Sequence, residues 1–330
     1  MSKKNILITG GAGYIGSHVL KQLGELDQYN LIVVDNLSNG HKENLLFGEF
    51  IEGDIGDSQV LDQIFKRKID GILHFAGSIV VPESVEKPDL YYRNNTVNSL
   101  KLLEYAKKFE VEAFIFSSTA AVYGEKTTDR PVSEEDPTDP KNPYAASKLM
   151  TEQMIQDIAK VSSLRYVILR YFNVAGACPS GKIGQRGKNA THLMKVCAEA
   201  ACGKRESVTI FGTDYPTKDG TGVRDYIHVV DLASAHVLAL GHLLNGAESN
   251  LFNCGYSQGY SVKEVIQQMK KISSNDFLVN EGLRRAGDIS KLTADSRLIR
   301  EKLGWKAGFN KLSVIIKDAY NWEKRLNIDN

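Results

Sequence analysis

Short apolar runs alternate with segments of helical periodicity through the first half of the chain. NILITG (residues 5–10) is apolar and stopped by glycines, which reads as a strand buried on both faces. From Tyr14 to about Leu26 the apolar positions recur at helical spacing. LIVVD (31–35) is the next buried strand and ends at Asp35. EFIEGD (49–54), GILHFAG (71–77), AFIFSS (113–118) and RYVILRYFN (165–173) repeat the pattern, with helical stretches between them, notably 89–109 and 143–162. Strand alternating with helix over about 170 residues predicts parallel βαβ units and an α/β fold with a doubly wound parallel sheet. After Asn173 the rhythm changes. Residues 175–188 read as a loop, followed by a helix (189–203), a short strand (208–211) and the loop GTDYPTKDGTGVRDY (212–226). The last third mixes short helices and strands, as a smaller α/β region built onto the sheet.

Composition narrows the field. The 330 residues are 42% hydrophobic and 25% charged, enough for a large core, and suggest two domains. A net charge of +1, spread along the chain, points to neither a nucleic acid nor a membrane surface. The four cysteines have no CxxC spacing, and the seven histidines form no HxxxH pair, so no metal is expected. MSKKNILITGG runs straight into a strand, and no apolar stretch approaches ~20 residues. A reduced, cytoplasmic setting is the expectation.

ITGGAGYIGSH (8–18) lies between the first strand and the first helix and carries Gly10, Gly11, Gly13 and Gly16. Glycines there allow a tight turn and let the backbone approach a pyrophosphate on the helix N-terminus. Asp35 ends the second strand 19 residues after Gly16, where a carboxylate accepts from ribose hydroxyls. It repels a 2′-phosphate, and Asn36 and Leu37 follow with no arginine, so NAD is expected rather than NADP. The sheet is thus of the Rossmann type. The expected cofactor contacts are Gly10, Gly13, Tyr14, Ile15, Gly16, Asp35, Asn36, Asp54, Ile55, Phe75, Ala76, Gly77, Asn94, Ser117, Tyr144, Lys148 and Tyr171.

Chemistry enters with NPYAASKLM (142–150), where Tyr144 and Lys148 share a helical face, one turn apart. Ser117, Ser118 and Thr119 end a strand at the edge that faces the ligand crevice. A tyrosine ordinarily titrates near pH ~10, and lowering that by ~3 units needs ~4 kcal/mol in favour of the phenolate. A lysine ammonium and the positive nicotinamide ring are expected to supply it. The phenolate would then take a hydroxyl proton while a hydride leaves the same carbon for NAD+, with Thr119 bonded to the reacting oxygen. Lys148 is also placed to hold the nicotinamide ribose.

These motifs identify a resemblance that runs nearly end to end. The chain resembles the extended short-chain dehydrogenase/reductase superfamily, whose glycine loop and Ser/Thr with Tyr-x-x-x-Lys set is matched by Thr119, Tyr144 and Lys148. Within it, KPDLYYRNN, SSTAAVYG, NPYAASKLMTE, RYFNVAGA and above all IFGTDYPTKDGTGVRDYIHVVDLA are similar to the UDP-glucose 4-epimerases, also called UDP-galactose 4-epimerases. The resemblance implies transient oxidation at C4 of the hexose, rotation of the 4-keto sugar and return of hydride to the opposite face. It implies UDP-glucose and UDP-galactose as partners, and a homodimer built on helices 89–109 and 143–162. It divides the chain into an NAD-binding domain (1–175, with part of 225–255 returning to it) and a UDP-sugar-binding domain (176–330). Arg224 and Arg285 suit a diphosphate, Asp288 the uridine ribose, and Asn173 a diphosphate oxygen. Thr119, Tyr144, Phe172, His192, Leu193, Tyr226 and Leu292 complete the expected substrate set, although Phe172 and Tyr226 also suit plain packing. Leu292 stands where relatives place a hexose gate, which implies some turnover of UDP-N-acetylhexosamines. Two positions depart from the pattern: Ile79 replaces a lysine near the nicotinamide end, and Thr191 with His192 replaces paired asparagines.

Rival readings lack their groups. Sugar-nucleotide 4,6-dehydratases carry Asp-Glu after the active-site threonine, whereas Ala120 and Ala121 follow Thr119 here. Decarboxylases and uronate epimerases share the triad but not the TDYPTKDGTGVRDY run. A non-catalytic dinucleotide sensor would have no need of both Tyr144 and Lys148.

Overall fold

A computed structural model describes residues 3–125, 130–187, 191–285 and 288–328. Its strands are β1 (Lys4–Thr9), β2 (Tyr29–Asp35), β3 (Glu49–Glu52), β4 (Gly71–His74), β5 (Ala113–Ser117), β6 (Arg165–Tyr171), β7 (Asn173–Ala175), β8 (Ser207–Phe211), β9 (Val223–His228), β10 (Asn250–Cys254), β11 (Gly259–Ser261), β12 (Leu278–Gly282) and β13 (Lys291–Leu292). Seven of them form one parallel sheet in the order β10-β6-β5-β4-β1-β2-β3. The doubly wound sheet of the sequence reading is therefore present, and its order reverses beside β1, where such sheets bind ligands.

The apolar runs form strands because both faces are covered. Ile6 and Ile8 of β1 pack into one core, while Leu7 between them packs into the other. Ile115 in β5 likewise opposes Phe114 and Phe116. Period-2 alternation is hidden in sequence when each face meets a helix layer. The first core includes the helices Tyr14–Leu26 and Val229–Leu244, and the second includes Asn98–Lys108 and Pro143–Ala159.

Several boundaries differ from expectation. The helix anticipated over 89–109 is Pro88–Tyr91, a π-helical turn Tyr92–Val97, and Asn98–Lys108. That turn holds Asn95, whose carbonyl accepts from Ser99 at 2.6 Å and Thr151 at 2.7 Å. The helix expected over 143–162 ends at Ala159. It begins where Pro143 follows Asn142, whose Oδ1 accepts from the Ala145 amide at 2.9 Å. The helix over 189–203 is Leu193–Ala201, and residues 188–190 lie outside the described residues. Residues 223–226, read as loop, belong to β9, whose polar Arg224 and Asp225 disguise a strand flanked by β11 and β13. The chain then returns to the large sheet, because β10 pairs with the outer edge of β6. Among the described residues no helix is long and apolar enough to cross a membrane.

Candidate active site

The cleft lies at the carboxyl edge of the sheet. Gly10 has φ 70°, and a Cβ there would come 2.6 Å from the Ala76 amide nitrogen. A Cβ on Gly16 would lie 2.4 Å from the Gly10 carbonyl oxygen. Only bare backbone fits this cradle. The helix behind it starts at Tyr14 after Gly13 with no side-chain cap, so its first amides face the cleft uncapped by a side chain. Asp35 ends β2 and is buried; Oδ2 accepts from the Ala12 amide at 3.0 Å and Oδ1 from Leu37 at 2.8 Å. Burial pushes its pKa up and these amides oppose it. Asn36 donates to Asp54 at 2.8 Å, beside buried Ile55. Phe75, Ala76 and Gly77 follow β4, and Asn94 donates to Ser78 Oγ at 2.9 Å. A glycine cradle, an uncapped helix N-terminus and a carboxylate one strand away fit a dinucleotide. Tyr14 is partly committed elsewhere, its hydroxyl donating to the Gly176 carbonyl at 2.6 Å, while Ile15 packs against the core. Ile79 is exposed, two residues beyond Gly77.

Tyr144 is buried, with its ring edge-on to Tyr91 at 6.5 Å. Thr119 and Tyr171 are the polar side chains that act on its phenol. Burial pushes its pKa up, and those two side chains oppose the shift. Lys148 is 3% exposed, donates to the Ser117 carbonyl at 3.0 Å and lies 4.7 Å over the Phe116 ring. Burial pushes its ammonium down to about 8. The spacing predicts a phenol acidified by its neighbour, whereas burial pushes the phenol the other way. Desolvation outweighs the partners present, and the lysine is turned to a carbonyl.

Two of the substrate-side candidates, Arg224 and Asp288, lie near Tyr215. Its buried hydroxyl has no hydrogen-bond partner among the described residues, and the charges of Asp288, Arg284 and Arg224 all act on it. The Arg284 guanidinium lies 4.1 Å over the Tyr215 ring and donates to Asp214 at 2.7 Å. Arg285 lies 3.7 Å over the Phe211 ring. Arg224 is half-buried, and the next residue, Asp225, accepts from the amides of Tyr256 and Ser257, both at 2.9 Å. Tyr215, Arg284 and Phe211 lie within or beside the quoted motifs but were not singled out by residue type; an arginine meeting an aromatic ring is a tertiary feature. Asn173 is exposed at the start of β7. Tyr226 is 3% exposed in the main core, which assigns it to packing. Phe172 and Leu292 are buried together with Ala120, Val122 and Tyr123, next to Thr119. His192 is exposed at the N-cap of Leu193–Ala201 without capping it, its Nδ1 3.3 Å from Gln185 Nε2, and Leu193 is half-buried. Among the described residues no group of three His, Cys, Asp or Glu is placed to hold a metal ion.

Known proteins are similar to this chain in sequence and fold. The pattern of the NAD dependent epimerase/dehydratase family is matched over residues 6–255. The UDP-glucose 4-epimerase of Azospirillum brasilense is 50% identical over 323 residues, 97% of this chain and 92% of that one. The crystal structure of UDP-glucose 4-epimerase from Brucella ovis in complex with NAD is similar, with TM-score 0.93 and 40% identity, over 97% of this chain and 98% of that one. The UDP-Glc/GlcNAc 4-epimerase of Campylobacter jejuni aligns with TM-score 0.85 and 49% identity, over 98% and 99%. With the glycine cradle, Asp35 and the Tyr144–Lys148 pair within the matched span, the chain belongs to the NAD dependent epimerase/dehydratase family.

Proposed function

We propose that this protein interconverts UDP-galactose and UDP-glucose by transient oxidation at C4 of the hexose, rotation of the 4-keto sugar and reduction from the opposite face. The observation that carries this reading is the burial of Tyr144 and Lys148 one helical turn apart at the carboxyl edge of the sheet, with Lys148 held to the Ser117 carbonyl beside Gly77 and the glycine cradle. NAD, when bound, supplies the reversible two-electron oxidation and, in its oxidised form, a positive charge. Gly10, Gly13, Gly16, Asp35, Asp54 and Lys148 would hold it.

Tyr144 takes the C4 hydroxyl proton and returns it when the sugar is reduced. Thr119 holds the reacting oxygen in line with the phenol. Lys148 steadies the ribose and lends its charge to the phenolate. Arg224 and Arg285 grip the diphosphate, Asp288 the uridine ribose and Asn173 a phosphate oxygen, so the nucleotide stays anchored while the hexose turns. Ala120 and Ala121 leave no acid–base pair for elimination of water. Leu292, packed with Phe172 and Ala120, walls the hexose pocket and admits UDP-N-acetylhexosamines slowly.

Residues 1–175, with part of 225–255, form the cofactor half, and 176–330 the sugar half. The protein works in the cytoplasm as a homodimer. Exposed apolar Val85, Val97, Leu100 and Met150 on the helices beside the site support a paired interface. The deciding experiment incubates purified protein with UDP-galactose and no added nucleotide. UDP-glucose is expected; an unchanged sugar, with NAD then added, sinks the reading.

A further inference from the structure

Behind the Thr119–Tyr144–Tyr171 cluster lies an ion pair that the mechanism above does not use. Glu152 is fully buried, one turn after Lys148 on the helix Pro143–Ala159. Arg170, 5% exposed, immediately precedes Tyr171. Its Nε donates to both carboxylate oxygens at 3.1 Å, and a terminal nitrogen donates to Oε2 at 2.6 Å. Ser118, which immediately precedes Thr119, donates to Glu152 Oε1. The Arg170 guanidinium also lies 4.8 Å over the Tyr123 ring, whose hydroxyl donates to Asn253 of β10 at 2.8 Å.

Successive residues of an extended chain point to opposite sides. In Ser118–Thr119 and Arg170–Tyr171 the first member bonds to Glu152 and the second acts on Tyr144 from the other side. Packing alone does not call for such a pair, because desolvating two charges offsets most of their attraction and apolar residues fill the same volume as well. Apolar residues cannot, however, offset a neighbouring charge. The titratable groups around Lys148 are Tyr144 and Glu152 on its own helix, His74 at the end of β4, Arg170 and Tyr171 on β6, and Tyr91 edge-on to Tyr144. Burial, with Lys148 second, pushes His74 down to about 3, so it stays neutral. Glu152 is the carboxylate of this set, and it favours the Lys148 ammonium against burial.

Resting on the epimerase reading, we propose that Glu152 and Arg170 are a positioning pair for the reaction. The carboxylate keeps a negative charge one turn from Lys148, and Arg170 with Ser118 fixes that carboxylate while tying the Thr119 and Tyr171 backbones to the catalytic helix.

The test uses the full chain with 13C-labelled lysine. The Lys148 signal, identified by its absence in Lys148→Met, is titrated by NMR without substrate. Glu152→Gln strips the compensation from Arg170 and is expected to lower the Lys148 midpoint by about one pH unit or more. Arg170→Gln leaves Glu152 in excess and is expected to raise it. The loss of kcat in Glu152→Gln should grow roughly tenfold from mildly acid to mildly alkaline pH, following that midpoint. Midpoints that stay still, or move the same way in both variants, overturn the proposal, as does a loss of kcat independent of pH. If Glu152→Gln does not fold, the upward shift in Arg170→Gln decides alone. Failure of the wild type to convert UDP-galactose is a separate result, because the midpoints are read without substrate.

Discussion

Burial drives Tyr144 and Lys148 towards their neutral forms, and the charge that favours the phenolate is expected from the cofactor. Tyr144→Phe is expected to keep fold and bound cofactor while turnover falls ~10²–10⁴-fold, measured by single-turnover conversion of UDP-galactose. Near wild-type rates would remove the phenol from the mechanism. Lys148 carries a stability consequence with a definite sign. Its folded pKa, about 8, lies below the ordinary 10.5, so its stability contribution is present above 10.5 and is lost as pH falls through about 8. At neutral pH the buried ammonium is a net cost of roughly 3 kcal/mol, less about 1 kcal/mol for its bond to Ser117. Lys148→Met should therefore raise the thermal midpoint of the ligand-free protein by several degrees at pH 7, with the gain fading in strong alkali. Leu292→Tyr should lower kcat/KM for UDP-N-acetylgalactosamine relative to UDP-galactose ten- to a hundred-fold, the range expected for ~1–3 kcal/mol; an unchanged ratio would place the gate elsewhere. Much of this residue-level chemistry was legible because helix and strand geometry are local. Tyr144 and Lys148 are one turn apart, and Thr119 follows a strand. Tyr215 and Arg284 were not, since their meeting joins segments 70 residues apart and no periodicity records it.

Elements were legible where both faces are buried. β1, β2 and β5 stand out as apolar runs because each side chain meets one helix layer or the other. β9 does not, because Arg224 bonds back to the Val223 carbonyl and Asp225 accepts from amides of the segment after β10, so neither faces an apolar layer and their polarity reads as loop. The π-helical turn Tyr92–Val97 is invisible for a different reason: its extra residue is held by bonds from Ser99 and Thr151, and side-chain pattern is blind to it. The glycine loop is tightly constrained by shape. In Gly16→Ala the new Cβ meets the Gly10 carbonyl and, at 2.9 Å, Gly11 Cα, both of them backbone that cannot swing aside. That variant should lose about 1–3 kcal/mol of stability and purify with little bound NAD, read from denaturant unfolding and from nucleotide released on acid treatment. Retained cofactor at the wild-type ratio would show that the cradle can dilate.

At the scale of the molecule, the helices that position Asn95 and Tyr144 also carry the exposed apolar residues. If the proposed homodimer uses this surface, Met150→Glu, at a side 47% exposed, should shift sedimentation from dimer to monomer while the isolated subunit keeps its fold. An unchanged sedimentation coefficient would free that surface of the role. The large sheet has a further property that follows from its last strand. β10 seals the outer edge of β6, yet 79 residues separate Tyr171 from Asn250, and the sugar-side segments β8 and β9 lie between them. During synthesis at about 5–20 residues per second, β6 waits roughly 4–16 s with its backbone edge unpaired. For that interval the nascent chain presents Val167, Ile168 and Leu169 on an open strand, the kind of template that recruits a neighbouring chain. The large sheet therefore cannot be completed before β8 and β9 have been made, and a chain cut short between β6 and β10 would be an aggregation-prone fragment with an unsealed sheet edge.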